Sequence, residues 1–133
     1  GYMGHVICNL IKDMENVTVA AGIDPCSGDQ KDFPVFASLD ECNVDVDVII
    51  DFSAAVAVDG VLDYAAAKKI PLVECTTGLS EEQLAHLEAA SKQTAILRSA
   101  NMSLGVNTLL EMVKTAAKIL GEAGFDIDIV EKH

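Results

Sequence analysis

Two hydrophobic periods alternate along the chain. After Gly4, the residues Val6, Ile7, Leu10, Ile11 and Met14 recur at helical spacing, and residues 17–23 (VTVAAGI) then form a β-rich run that stops at Asp24 and Pro25. Residues 25–33 are polar and turn-rich, residues 36–42 read as a short helix or turn, and residues 46–52 (VDVIIDF) read as a second strand. In residues 54–69 Val58, Val61, Leu62 and Ala65 share one helical face. Residues 70–75 (IPLVEC) are a third strand, with Pro71 at its start, where a missing N–H is tolerated. Ser80 with Gln83 has the spacing of a capping box, and Leu84, Leu87 and Ala90 continue the helix it opens to about Lys92. Residues 95–99 form another strand. A long helix over 102–120 carries Leu104, Leu109, Leu110, Val113, Ala117 and Leu120, with Gly121 as its stop. Residues 125–130 (FDIDIV) alternate apolar and acidic positions, the pattern of a half-exposed antiparallel or mixed strand.

Strands separated by helices must pair in parallel through crossovers, so the expected fold class is α/β, a mostly parallel sheet with helices on both faces. The 133 residues suffice for one domain with a real core, and half of them are hydrophobic, which excludes a disordered or low-complexity chain. Twenty-one acidic against nine basic residues leave a net charge of −12, which argues against a nucleic-acid surface or an acidic-membrane anchor. A bound nucleotide stays allowed, because backbone amides at a helix N-terminus hold phosphate without a basic patch. No apolar stretch approaches the ~20 residues of a membrane span, and the chain reads as cytoplasmic. Cys8, Cys26, Cys42 and Cys75 are scattered without a C-x-x-C pair, so reduced thiols are expected. His5, His86 and His133 lack metal-ligand spacing; no metal is expected, with His5 and His86 read as helix positions, the latter on a solvated face.

Gly1, Tyr2, Met3 and Gly4 open a helix, and the acidic Asp24 ends the strand that follows. This is the back half of a dinucleotide fingerprint: glycine permits close backbone approach, the helix N-terminus takes the pyrophosphate, and the carboxylate binds the adenosine ribose. On these residues alone, glycines that merely pack a helix and an Asp that merely caps a turn explain the pattern equally well.

Four further segments, VDVIIDFSAAVAV (46–58), IPLVECTTGLSEEQ (70–83), ILRSANMSLGVN (96–107) and FDIDIVEKH (125–133), resemble the dihydrodipicolinate reductase family in that order. The resemblance implies a Rossmann-type, doubly wound nucleotide-binding domain over 1–124, with 125–133 as the start of a substrate-binding, catalytic domain. It further implies a lysine and diaminopimelate pathway oxidoreductase that reduces a small cyclic dicarboxylate with NADH or NADPH, and a homo-oligomer, a tetramer, when full length. Phe52 and Ser53 would leave one strand end beneath the nicotinamide, although Phe52 also fits plain core. Cys75, Thr76, Thr77 and Gly78 would leave another, offering hydroxyls and amides. Ser99, Ala100, Asn101 and Met102 would pass the nicotinamide, with Asn101 equally readable as a helix N-cap. His133 matches the first histidine of the family's E-x-H-H region, a candidate proton donor or substrate-polarising residue. The sequence departs from the family at Tyr2, where an arginine is usual, and at Cys75, where a glycine is usual. The family's first strand and first fingerprint glycine lie upstream of Gly1, so the sheet is expected to lack that strand and the chain alone to be inert. Another small NAD(P)-dependent dehydrogenase and a non-catalytic NAD-binding or interaction module remain the alternatives. Asp24 and Asp29 surround the ribose position with Lys31 as the nearest cation, so NADH is expected to bind at least as well as NADPH.

Overall fold

The computed structural model describes residues 1–26 and 32–130, which divide into two compact units, residues 1–100 and the stretch from Asn101 onward. In the first unit the order is α1 (Tyr2–Ile11), β1 (Gly22–Ile23), β2 (Val35–Phe36), β3 (Ile49–Asp51), α2 (Ala55–Lys68), β4 (Leu72–Glu74), α3 (Glu81–Ser91) and β5 (Ile96–Arg98). Every strand pair is parallel. β1 pairs with β2, and β3, β4 and β5 form a separate sheet in that order. The alternation of periods implies this α/β class and the family resemblance its Rossmann type, although the strands form two separate sheets where one was expected.

The core lies between α2, α3 and the β3–β4–β5 sheet. Val58, Val61, Leu62 and Ala65, the face predicted from spacing, are buried on α2 against Leu72 of β4 and Ala90 of α3, with Ile49, Leu87 and Ile96 packed around them. The α2 helix ends where Lys69 turns left-handed at φ 55°, and the amides of Lys69 and Ile70 return to the carbonyls of Ala66 and Ala65. Ser80 and Gln83 form the predicted capping box. The Gln83 amide donates to Ser80 Oγ at 3.2 Å, and the Ser80 amide donates to Gln83 Oε1 at 3.1 Å.

Several features differ from the sequence reading. Of residues 17–23 only Gly22 and Ile23 are strand, because their one ladder partner among the described residues, Val35–Phe36, is equally short. That partner was not predicted as a strand. It depends on Gly22, where a Cβ would meet the Phe33 ring at 3.2 Å. His86 is half-buried rather than on a fully solvated face. Its Nδ1 lies 2.7 Å from Asp59 and its Nε2 lies 3.0 Å from Asp63, both on α2.

The second unit contains α4 (Leu104–Glu122), capped by Ser103, whose Oγ accepts from the Val106 amide at 3.3 Å. Asn101 is therefore not the N-cap; its side chain accepts from the Ser103 amide at 2.8 Å and so braces the cap. Gly121 lies inside the helix. The stop is Gly124, at φ 84°, after which the Phe125 amide returns to the Leu120 carbonyl. Phe125 to Val130 are exposed and form no strand, since alternation shapes a strand only when a ladder partner is present, and none is found for them among the described residues. No helix among the described residues is long and apolar enough to cross a membrane.

Candidate functional site

Hydrogen bonds gather the predicted residues into two groups in the first unit. The first sits at the start of α1. Gly1 is the N-cap, and its amino nitrogen lies 3.0 Å from Asp24 Oδ2, while Asp24 Oδ1 accepts from the Cys26 amide at 3.0 Å. The Cys26 amide, foremost, holds the Asp24 carboxyl below its ordinary range. The helix N-terminus and the strand-end acid are thus adjacent although 23 positions separate them. Space next to Gly1 and Gly4 is open, since a Cβ built at either meets nothing within 4 Å. The first amides of the helix also lack intrahelical acceptors. Tyr2 and Met3 turn outward, so the aromatic that stands where an arginine is usual does not fill that space from within the core.

The second group is the carboxyl edge of β3, β4 and β5. Parallel pairing brings the three strand exits to one edge, and the ladder continues past the strands, with the Cys75 amide donating to the Asp51 carbonyl and the Ser99 amide to the Glu74 carbonyl. Phe52 is half-buried, Ser53 and Thr77 are exposed, and Ala100 is exposed at the end of β5. Cys75 and Thr76 are buried. The Thr76 hydroxyl points at Asp51 Oδ2 (3.4 Å) and the Ser53 carbonyl (3.5 Å), so it joins two strand exits rather than facing outward. Burial, followed by the charges of Glu74 and Asp51, pushes the Cys75 thiol up, which makes it a packing residue and a poor nucleophile.

Asn101 and Met102 belong to the second unit, and His133 lies outside the described residues. No three metal-ligating side chains come together among the described residues in a way that could hold an ion. Sequence reasoning passed over Asp51 and Glu74, the buried acids beneath the strand exits. The available signal was two carboxylates at the ends of runs that are otherwise apolar, IID and LVE.

An open glycine-lined helix start beside an acid, together with a parallel sheet whose carboxyl edge carries hydroxyls and an aromatic, suits a dinucleotide. Comparison with known proteins points the same way. The family described as "Dihydrodipicolinate reductase, N-terminus" matches residues 1–102. Proteins named 4-hydroxy-tetrahydrodipicolinate reductase match the whole chain, at 50% identity in Caldanaerobacter subterraneus subsp. tengcongensis and 41% in Clostridium tetani, in each case over 52% of the relative's length. A third, from Clostridium perfringens, is 42% identical over 134 residues. The chain therefore spans about half the length of the curated relatives it matches.

Proposed function

The chain belongs to the dihydrodipicolinate reductase N-terminus family, and from that premise we propose that it is the cofactor-binding part of an enzyme reducing 4-hydroxy-tetrahydrodipicolinate to tetrahydrodipicolinate with NADH or NADPH. The observation that carries this reading is the parallel register of β3 and β4, which brings Phe52, Ser53, Thr76 and Thr77 out at one carboxyl edge. Bound nicotinamide would supply the hydride. The first amides of α1 hold the pyrophosphate, aided by the helix dipole, and Asp24 accepts from the adenosine ribose hydroxyls. Phe52 offers a ring face at the nicotinamide. Ser53, Thr77 and the backbone of Cys75, Thr76, Ser99 and Ala100 would orient the ribose and amide. The fit is one of orientation and water exclusion, the contributions a protein makes to hydride transfer.

In this reading residues 1–124 form the nucleotide-binding part, and 125–133 open the part that binds the dicarboxylate. His133 at its edge polarises the substrate or donates the proton. The enzyme works in the cytoplasm, in lysine and diaminopimelate biosynthesis, as a homo-tetramer. The test is a titration of the intact protein with NADH and NADPH by nicotinamide fluorescence, paired with an assay of cofactor oxidation in the presence of the substrate. Saturable binding with substrate-dependent oxidation supports the proposal. Binding without oxidation would leave a non-catalytic nucleotide module, and absence of binding would overturn the reading.

A further inference from the structure

Asp51 ends β3, Glu74 ends β4, and the two are register partners, so their side chains leave the sheet on the same face. Both are buried, Glu74 at 0% exposure. Asp51 accepts from the Ser53 amide at 2.8 Å, from Ser53 Oγ at 3.1 Å and from Thr76 Oγ1 at 3.4 Å. Glu74 Oε1 accepts from the Thr76 amide at 2.8 Å, whereas its Oε2 is buried and meets no donor among the described residues. Two side chains interact with the Glu74 carboxyl, the Thr76 hydroxyl and Asp51, which is itself an acceptor and, among the described residues, the one charged group acting on it. Arg98, the register partner of Glu74 on β5, is exposed and exerts no such influence. The helices packed over this face bring Val58, Leu62 and Ala90, all apolar, and among the described residues Cys75 is a further titratable neighbour of both acids. A buried carboxylate oxygen without a donor is costly, while a carboxylic acid in the same place becomes the donor its neighbour can accept.

We propose that Glu74 is a positioning residue that keeps its proton and donates it from Oε2 to Asp51, so that one shared proton ties the exits of β3 and β4 and sets the Ser53 and Thr76 backbone at the cofactor edge. Burial above all, and then the charge of Asp51, push the Glu74 carboxyl above its usual range against the opposing Thr76 amide and hydroxyl. The positioning role rests on the nucleotide-binding reading above; the shared proton does not.

The sign of the pH dependence follows from linkage. A carboxyl raised above its ordinary 4.5 supports the fold fully below that value and loses that support as pH rises through the raised one. Glu74→Gln carries a permanent N–H donor for Asp51 and keeps the acceptor for Thr76. The experiment compares urea midpoints of the intact protein and E74Q across the range above pH 4.5, together with NADH affinity at both ends of that range. The two midpoints should coincide at the acid end and diverge as pH rises, E74Q becoming the more resistant, with its NADH affinity held constant. Glu74→Leu, which offers Thr76 nothing, should bind NADH about tenfold more weakly, near 1.4 kcal/mol. Should E74L fail to fold, E74Q decides alone. Parallel midpoints at every pH overturn the shared proton. E74L affinity equal to wild type overturns the positioning role. Absence of NADH binding in the wild type brings down the cofactor reading and the positioning role together, and is distinguished by midpoints that still diverge.

Discussion

The Asp24 carboxylate accepts from the Cys26 amide at 3.0 Å, a bond that favours its ionised form and fixes its direction at the end of β1. Asp24→Ala should weaken NADH binding by about tenfold or more, the scale of a lost hydrogen bond to a charged group. Calorimetry on the variant, with circular dichroism to show that the fold is intact, checks this, and unchanged affinity would move the ribose site elsewhere. The strand ends at Asp24 and Ser53 were legible in the sequence because each stands next to a break in hydrophobic period, whereas Thr77 drew notice only through the family resemblance. Asp51 and Glu74 were not legible, since their importance depends on register. Only pairing Ile49 with Leu72 brings the two acids side by side, and a one-residue slip would send one of them to the other face. The Thr76 hydroxyl fell to the same blindness, because sequence marks a hydroxyl without marking its direction.

At the scale of elements, α2 and α3 are joined by more than their apolar faces. His86 of α3 reaches Asp59 and Asp63 of α2, and Gln83 donates from Nε2 to Asp59 at 3.0 Å and to the Ala55 carbonyl at 2.6 Å. The hydrogen bond to Asp59, foremost, raises the His86 pKa above 6.5, and the same bond lowers that of Asp59 below 3.8. A raised histidine stabilises the fold below its unfolded pKa and ceases to as pH passes its folded one; a lowered aspartate stabilises above 3.8 and fails as pH falls. His86→Ala should therefore cost stability at pH near 6 and progressively less toward pH 9, read as converging thermal midpoints of variant and wild type. A second prediction concerns the end of α2. Lys69 is exposed yet left-handed, a conformation that costs a residue with a Cβ about 1 kcal/mol, so Lys69→Gly should stabilise the protein by about 0.5–1 kcal/mol in urea unfolding. Helices with a clear face or cap, α2 by its apolar face and α3 by its capping box, were legible almost to the residue. Short strands were not, because their length is set by the partner: residues 17–21 and 125–130 have the right pattern and no ladder among the described residues, while Val35–Phe36 has a ladder and almost no pattern.

Over the whole molecule, net charge bears on which dinucleotide binds. The chain carries −12, and NADPH brings about two more negative charges than NADH through its 2′-phosphate, so the general field disfavours it more. Opposing this stands one sequence feature, Lys31, which lies outside the described residues. We propose that the field prevails and that NADH binds at least as tightly as NADPH at low salt. Salt distinguishes field from local contact. The Debye length is about 10 Å at 0.1 M and about 3 Å at 1 M, so added salt relieves repulsion most for the more highly charged ligand and should narrow the gap between the two dissociation constants. A local lysine would give the opposite trend, an NADPH preference that is greatest at low salt, shrinks as salt rises and disappears in Lys31→Ala. Paired titrations of both cofactors with the intact protein at about 0.05 M and about 0.5 M salt, repeated on the lysine variant, separate the two. An NADPH advantage of tenfold or more, ~1.4 kcal/mol, that survives both salt and the substitution would mean that neither the field nor Lys31 sets the preference. The discriminating group would then have to be sought elsewhere around the ribose.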